Sequence, residues 1–217
     1  MSKTKTFICA IPFQPEGSLK PVTYVPSGNS KLEYGETRFP IIPVINGYAG
    51  DGDKIRVIAI LTGGANFKHN YEKYFVPEIT ELAAKKGYEF AGVETIGSPD
   101  SEDIETQLAL FIDLIATVGD GEEIYACITY GTKPTPIVQF IALNYAYKLK
   151  KDASIGCIAY GRFMHNDENG HGIGRIYDQT ALFYMDSIVN KLADLKAPHP
   201  EAAIRAMLGI GGPTDDE

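Results

Sequence analysis

From residue 54 onward the chain alternates short apolar runs with longer stretches whose apolar residues return every three or four positions. The runs at 55–61, 88–96, 123–129 and 153–160 have the length and near-continuous hydrophobicity of strands buried on both faces, and residues 6–13 read the same way. The stretches at 70–87, 101–118 and 134–149 carry the helical period, and two further helices follow at 179–196 and 199–208. Helix 70–87 places Tyr71, Tyr74, Phe75, Ile79, Leu82 and Ala83 at helical spacing and stops at Gly87. Helix 101–118 opens on Ser101, Glu102 and Asp103 and gathers Ile104, Leu108, Phe111, Ile112 and Ile115 on one face, the kind of face an amphipathic helix turns to a core.

Two segments break this rhythm. Residues 14–53 are rich in Pro, Gly and Tyr, and prolines at 12, 15, 21, 26, 40 and 43 exclude a helix and a central strand over much of the segment. It is read as an irregular or hairpin insertion, with Val22–Val25 and Phe39–Ile45 as candidate short strands. Gly161 to Asp178 reads as a polar loop. Strands alternating with helices predict an α/β fold: a Rossmann-like, doubly wound, mainly parallel sheet with helices on both faces and short C-terminal helices. The expected domain covers 1–178, a helical extension 179–210, and a disordered tail 211–217.

Composition narrows the function. The chain has 217 residues, 44% of them hydrophobic, enough for one domain with a sizeable core. No run of about 18 apolar residues marks a membrane span, and the first residues lack the apolar core of a signal peptide. Cys9, Cys127 and Cys157 all fall in apolar strands, which reads as reduced packing residues of a cytoplasmic protein. A net charge of −8 argues against binding duplex nucleic acid non-specifically, and is compatible with a small polyanion held in one focused pocket.

Candidate chemistry lies at two strand–loop–helix junctions. One is Thr62-Gly63-Gly64-Ala65-Asn66-Phe67-Lys68; the other is Thr129-Tyr130-Gly131-Thr132-Lys133-Pro134. Small and hydroxyl residues before a helix start expose backbone N–H groups, and the helix dipole favours negative charge there. Two such loops on one sheet predict a pocket for a phosphate-bearing ligand at the carboxyl edge of the strands. Phe13 and Gln14 end the first strand and are candidates to line it; Arg162 follows a strand end and either reaches a phosphate or faces solvent. Gly63 and Gly64 also serve as a tight turn, and Thr132 as a cap. Lys68 reads as a solvated charge, and His165, His171 and the run Gly170–Arg175 as a connector or a flexible loop over the site. Neither the Gly-x-Gly-x-x-Gly fingerprint nor a Walker loop is present, so NAD, FAD and P-loop nucleotides are not expected, and no cofactor or metal is predicted.

The junctions Thr62-Gly63-Gly64-Ala65 and Thr129-Tyr130-Gly131-Thr132-Lys133, with the strand end Ala159-Tyr160-Gly161, resemble the CRISPR-associated Rossmann fold (CARF) domain of type III CRISPR systems. The likeness covers roughly residues 5–165, in a stand-alone form without an effector domain. Many relatives carry Thr-His-Gly-Phe-Arg in the second loop; Tyr130 and Lys133 stand here at the His and Arg positions. Lysine is a point charge without the bidentate fork of arginine. The resemblance implies a cytoplasmic homodimer in antiviral defence that binds cyclic oligoadenylate across its two-fold axis. It leaves the ring size open and favours the tetra-adenylate.

A ring nuclease is the activity this implies. The ribose 2′-hydroxyl attacks the adjacent phosphate, and the protein positions it and stabilises charge without a metal. Lys133 is the candidate cation, with Thr62, Asn66 and Thr132 orienting ribose and phosphate. Tyr130 is a candidate to stack on adenine or donate a hydrogen bond. Phe13, Gln14, Thr62, Gly63, Gly64, Asn66, Thr129, Tyr130, Gly131, Thr132, Lys133 and Arg162 form the expected ligand-binding set, and Lys133, Thr132 and Thr62 the catalytic one. Two other readings stay open: a non-catalytic sensor of the ring that regulates a separate effector protein, and a Rossmann-like enzyme acting on a mononucleotide or sugar phosphate.

Overall fold

The computed structural model describes residues 4–209. In chain order it contains β1 (Lys5–Ala10), β2 (Val22–Ser27), β3 (Glu36–Thr37), α1 (Ile41–Tyr48), β4 (Lys54–Thr62), α2 (Ala65–Asn70) and α3 (Val76–Lys86). Then come β5 (Glu89–Ser98), α4 (Ile104–Thr117), β6 (Glu123–Cys127), α5 (Thr135–Leu149), β7 (Ser154–Asn166) and β8 (Gly172–Asp178). Two helices close the chain, α6 (Thr180–Asp194) and α7 (Pro200–Leu208). One compact unit runs to Thr180 and a second takes the rest. The tail expected at 211–217 lies outside the described residues. No helix among the described residues is long and apolar enough to cross a membrane.

The eight strands form one sheet in the order β3-β2-β8-β7-β6-β1-β4-β5. Strands β7, β6, β1, β4 and β5 are parallel neighbours. The chain winds outward from β1 in one direction through β4 and β5, then crosses to β6 and β7 on the other side. That is the Rossmann-like, doubly wound arrangement, and its switch point lies between β1 and β6.

Alternation along the strands loads both faces with apolar side chains. Phe7, Cys9, Val57, Ala59, Tyr125, Cys127 and Cys157 are buried in one cluster with Val44 and Ile45 of α1 and Ile79 and Leu82 of α3. The rings of Phe7 and Tyr125 stack at 4.8 Å between centroids. On the other face Ile8 and Ala126 meet Leu114 of α4 and Gln139, Ala142 and Leu143 of α5. Each fully buried Phe, Ile or Leu contributes on the order of 1.5–3 kcal/mol relative to exposure, which makes this double-sided burial the main stabilising term.

The structure differs from the sequence expectation in four places. Within 14–53, Pro40 and Pro43 do not exclude a helix: Pro40 is the N-cap of α1 and Pro43 its third residue. These positions have no intrahelical partner for an N–H, so losing one costs nothing. The rest of the segment includes β2 and β3, which extend the sheet through β8.

The polar loop at Gly161–Asp178 is a hairpin. β7 runs on to Asn166 and β8 returns antiparallel to it. Its turn is closed by the Asp167 carboxylate, which accepts from the N–H groups of Asn169 and His171 at 2.9 and 2.8 Å. Strand with one open face is polar there, so it lacks the continuous apolar signature of a doubly covered strand.

The helix expected from residue 70 begins at Ala65, straight after Gly64, and passes through a π-helical turn at Tyr71–Phe75 before α3. Gly87 does end it, in the left-handed region at φ 73°, with its N–H on the Ala83 carbonyl.

Finally, α4 turns Gln107, Leu110 and Leu114 inward, not the expected stripe. Ile104, Leu108 and Ile112 are exposed. The helix carries two apolar faces, and periodicity alone does not say which one meets the sheet.

Candidate functional site

The loops after β1 and β6 diverge at the switch point and leave a crevice between them. Pro12, Phe13, Gln14 and Pro15 from the first loop face Thr129, Tyr130 and Gly131 from the second across a pocket of about 350 Å³. A neighbouring pocket, lined by Gln14, Ser18, Lys20, Tyr24, Thr129, Tyr130, Gly161, Phe163 and Asn166 among others, continues under β7. On the other side Phe13 also walls a cleft with Thr62, Gly63, Gly64, Asn66 and Asp100. Phe13 is 54% exposed, so a large aromatic ring stands free between the two expected ligand loops.

Gly131 shapes the second loop. Its φ is +109°, and a Cβ there would meet the Thr135 side chain at 2.7 Å, so any other residue is excluded by both conformation and space. On the first junction, the Gly63 N–H donates to the Ser98 carbonyl at 2.8 Å and Gly64 has φ +137°, which gives the short turn from strand to helix.

Tyr130 does not present its hydroxyl to the crevice. The hydroxyl donates to the Arg38 carbonyl at 2.9 Å. Burial, with Tyr24 beside it, pushes this hydroxyl well above its ordinary value of 10, so it is no base near neutrality. Thr129 Oγ1 accepts from the Gly161 N–H at 2.8 Å and ties the loop after β6 to the middle of β7. Thr132 Oγ1 lies 3.0 Å from Thr135 Oγ1, the cap reading of that residue.

The start of α5 is also not the donor array its sequence suggests. Pro134 and Pro136 have no N–H. The Thr135 N–H donates to the Thr132 carbonyl at 3.0 Å, and those of Ile137 and Val138 to the Pro134 carbonyl at 2.9 and 3.0 Å. The Lys133 N–H points to the Glu102 carboxylate at 3.4 Å. Among the described residues, the N–H groups of Tyr130, Gly131 and Thr132 make no hydrogen bond. Anion-binding capacity therefore sits in the loop and not in the helix end.

No protein-family model matches the chain, and no curated protein matches it.

The structure thus gathers Phe13, Gln14, Thr62, Gly63, Gly64, Asn66, Thr129, Tyr130 and Gly131 around the switch point. It does not bring Thr132, Lys133 or Arg162 into the lining of those pockets. Lys133 is exposed on the loop, with its ammonium in no ion pair among the described residues. Arg162 pairs across the β7–β8 hairpin with Arg175, while its strand neighbours Gly161 and Phe163 line the pocket; it therefore faces the other side of the sheet.

Sequence reasoning missed two residues here. Lys20 lines the pocket under β7. Asn70 is fully buried, and its Nδ2 donates to the carbonyls of Pro12 and Gln14 at 2.9 and 3.0 Å, holding the loop that carries Phe13. A lone Asn in a helical pattern gives no signal of its own; a π-helical turn directly after it, common at functional sites, is visible only in the fold.

The three thiols are buried and unpaired. Burial raises Cys127 to about 11 and Cys157 to about 12, so neither is a thiolate nucleophile at neutral pH. Among the described residues no group of three or more His, Cys, Asp or Glu side chains is arranged to hold a metal ion.

Proposed function

We propose that the chain binds cyclic oligoadenylate as a homodimer in type III CRISPR defence and cleaves the ring through its ribose 2′-hydroxyl. The observation that carries this reading is the switch-point crevice itself: an exposed aromatic ring, Phe13, beside the unpaired loop N–H groups of Tyr130 and Gly131. An aromatic face suits adenine, and clustered amides suit phosphate. The Asp100 carboxylate lines the cleft at the other junction, so the phosphate goes to the side of Tyr130 and Gly131. Glu102 stands against the Lys133 N–H, outside the crevice lining.

The surface beside the site supports the dimer. Ile104 and Leu108 of α4, with Ile137 and Ile141 of α5, stand exposed around a groove that includes Glu102 and Pro134, the flank of the second loop. A patch of this kind marks an interaction surface. A two-fold partner seated on it would bring its own second loop next to this one, as a symmetric ring requires. Lys133 borders that groove, where its ammonium would meet a phosphate held between two protomers.

One observation favours a second reading, binding without cleavage by a sensor that acts on a partner. Tyr130, the residue nearest to acid–base chemistry in the crevice, has its hydroxyl bonded to Arg38 and pushed far from neutrality. The experiment is incubation of the full chain with cyclic tri-, tetra- and hexa-adenylate, without added metal, with binding and products followed together. Linear products ending in a 2′,3′-cyclic phosphate, lost in Lys133→Ala while binding survives, support the nuclease. Tight binding of an intact ring supports the sensor, and no binding of any ring overturns both.

A further inference from the structure

We propose a second site, separate from the switch-point crevice: the open face of the β2–β8–β7 end of the sheet is a platform for single-stranded RNA. Strand alternation and register put Tyr160, Arg162 and His165 of β7, Tyr177, Arg175 and Ile173 of β8, and Ser27, Val25 and Thr23 of β2 on one side. Arg162, Arg175 and His165 are exposed, and Val25 is 49% exposed. On a chain with net charge −8, these nine positions hold no carboxylate; the carboxylate on this face is Glu36 of β3, at the sheet edge across from Thr23 and beyond β2 from the two arginines.

Arg162 and Arg175 stand directly across the ladder from one another. Like charges in that position destabilise a sheet pair unless an anion lies between them. Among the described residues neither guanidinium makes an ion pair. Next along the ladder the rings of Tyr160 and Tyr177 stack at 6.4 Å, with Tyr160 38% exposed. Guanidinium forks beside an aromatic pair on an uncovered sheet match what single-stranded RNA offers: phosphates with bidentate oxygens, and unstacked bases. A duplex, whose bases are already stacked, has no use for the tyrosines.

The test is fluorescence anisotropy of a short labelled oligouridylate with the full chain, which avoids adenine-specific binding at the crevice. Two phosphate contacts on a single strand give a slope of log affinity against log salt of about −1.4, at about 0.7 per contact. Arg162→Ala with Arg175→Ala should weaken binding about tenfold or more and flatten the slope, and Tyr160→Ala should weaken it with the slope kept. Arg162→Lys with Arg175→Lys should retain the slope. In the same variants the melting temperature and the binding of cyclic oligoadenylate should not fall, whichever way the crevice reading itself is decided. No binding by the wild-type chain, or an affinity and slope unchanged in the double alanine variant, overturns the proposal.

Discussion

The Tyr130 hydroxyl, in the loop after β6, donates to the backbone carbonyl of Arg38 at 2.9 Å. The Arg38 side chain in turn reaches Glu78 of α3 at 2.9 Å and covers the Tyr74 ring at 4.4 Å. One side chain thus fastens the crevice loop to the segment leading into α1 and, through it, to α3. Tyr130→Phe keeps the ring and leaves the Arg38 carbonyl without its donor. The expected cost is about 1 kcal/mol, read as a lower urea midpoint at unchanged slope.

Asn70 makes a sharper comparison. Asn70→Ala removes both donors from the Pro12 and Gln14 carbonyls and should cost on the order of 1–3 kcal/mol. Asn70→Asp keeps the shape but turns acceptors toward those carbonyls in a fully buried site, so it should melt lower than the alanine variant. Equal melting temperatures would show that the side chain only fills space.

The α4–α5 face predicts an association equilibrium. Leu108→Glu with Ile137→Glu puts charges on exposed positions that no core needs. Sedimentation should show a dimer for the wild-type chain and a monomer for the variant, with monomer stability within about 0.5 kcal/mol. Ligand affinity should fall with the dimer. A wild-type monomer at high concentration would remove the interface.

Stability should fall on the alkaline side. Burial raises Tyr24 to about 12 from its ordinary 10, raises Cys127 to about 11, and carries Tyr130 well above 10. A group whose folded value is raised stabilises the fold fully below its unfolded value and loses that contribution as pH climbs toward the folded one. The unfolding midpoint should therefore decline from about pH 9, where thiols begin to ionise in the unfolded chain, and steeply between about 10 and 12. The part of the tyrosinate absorbance that Tyr24→Phe and Tyr130→Phe remove should appear together with unfolding, not before it.

The parallel core was legible because strands covered on both faces are apolar at nearly every position, as in Ile55–Leu61, and that signature has few other sources. The β7–β8 hairpin was not, because its open face carries Arg162, His165 and Arg175 where a covered strand would carry Val or Ile. Pro43 misled by its type: a proline in the first turn is compatible with a helix, and only the fold shows which turn it occupies. At the site, Phe13, Gly63, Gly64 and Gly131 were placed by chain position alone, since strand ends in a doubly wound sheet meet at one edge. Lys133 and Arg162 were not, because a side chain's direction at a loop or strand end depends on the local backbone, which composition does not encode.

The π-helical turn at Tyr71–Phe75 decides where this helix can change length. It holds one residue more than an α-helical turn, between Asn70, which grips the Pro12–Gln14 loop, and Ile79, which sits in the core. Because the wide turn already absorbs its extra residue, deleting one residue there would let the helix relax to regular hydrogen bonding with its two halves in nearly the same orientation. A deletion in the regular turn that follows, at Val76–Glu78, has no such slack and would rotate one half against the other by about 100°. Either Asn70 would then swing off the loop or Ile79 would leave the core. Length is thus negotiable at the wide turn and fixed beside it.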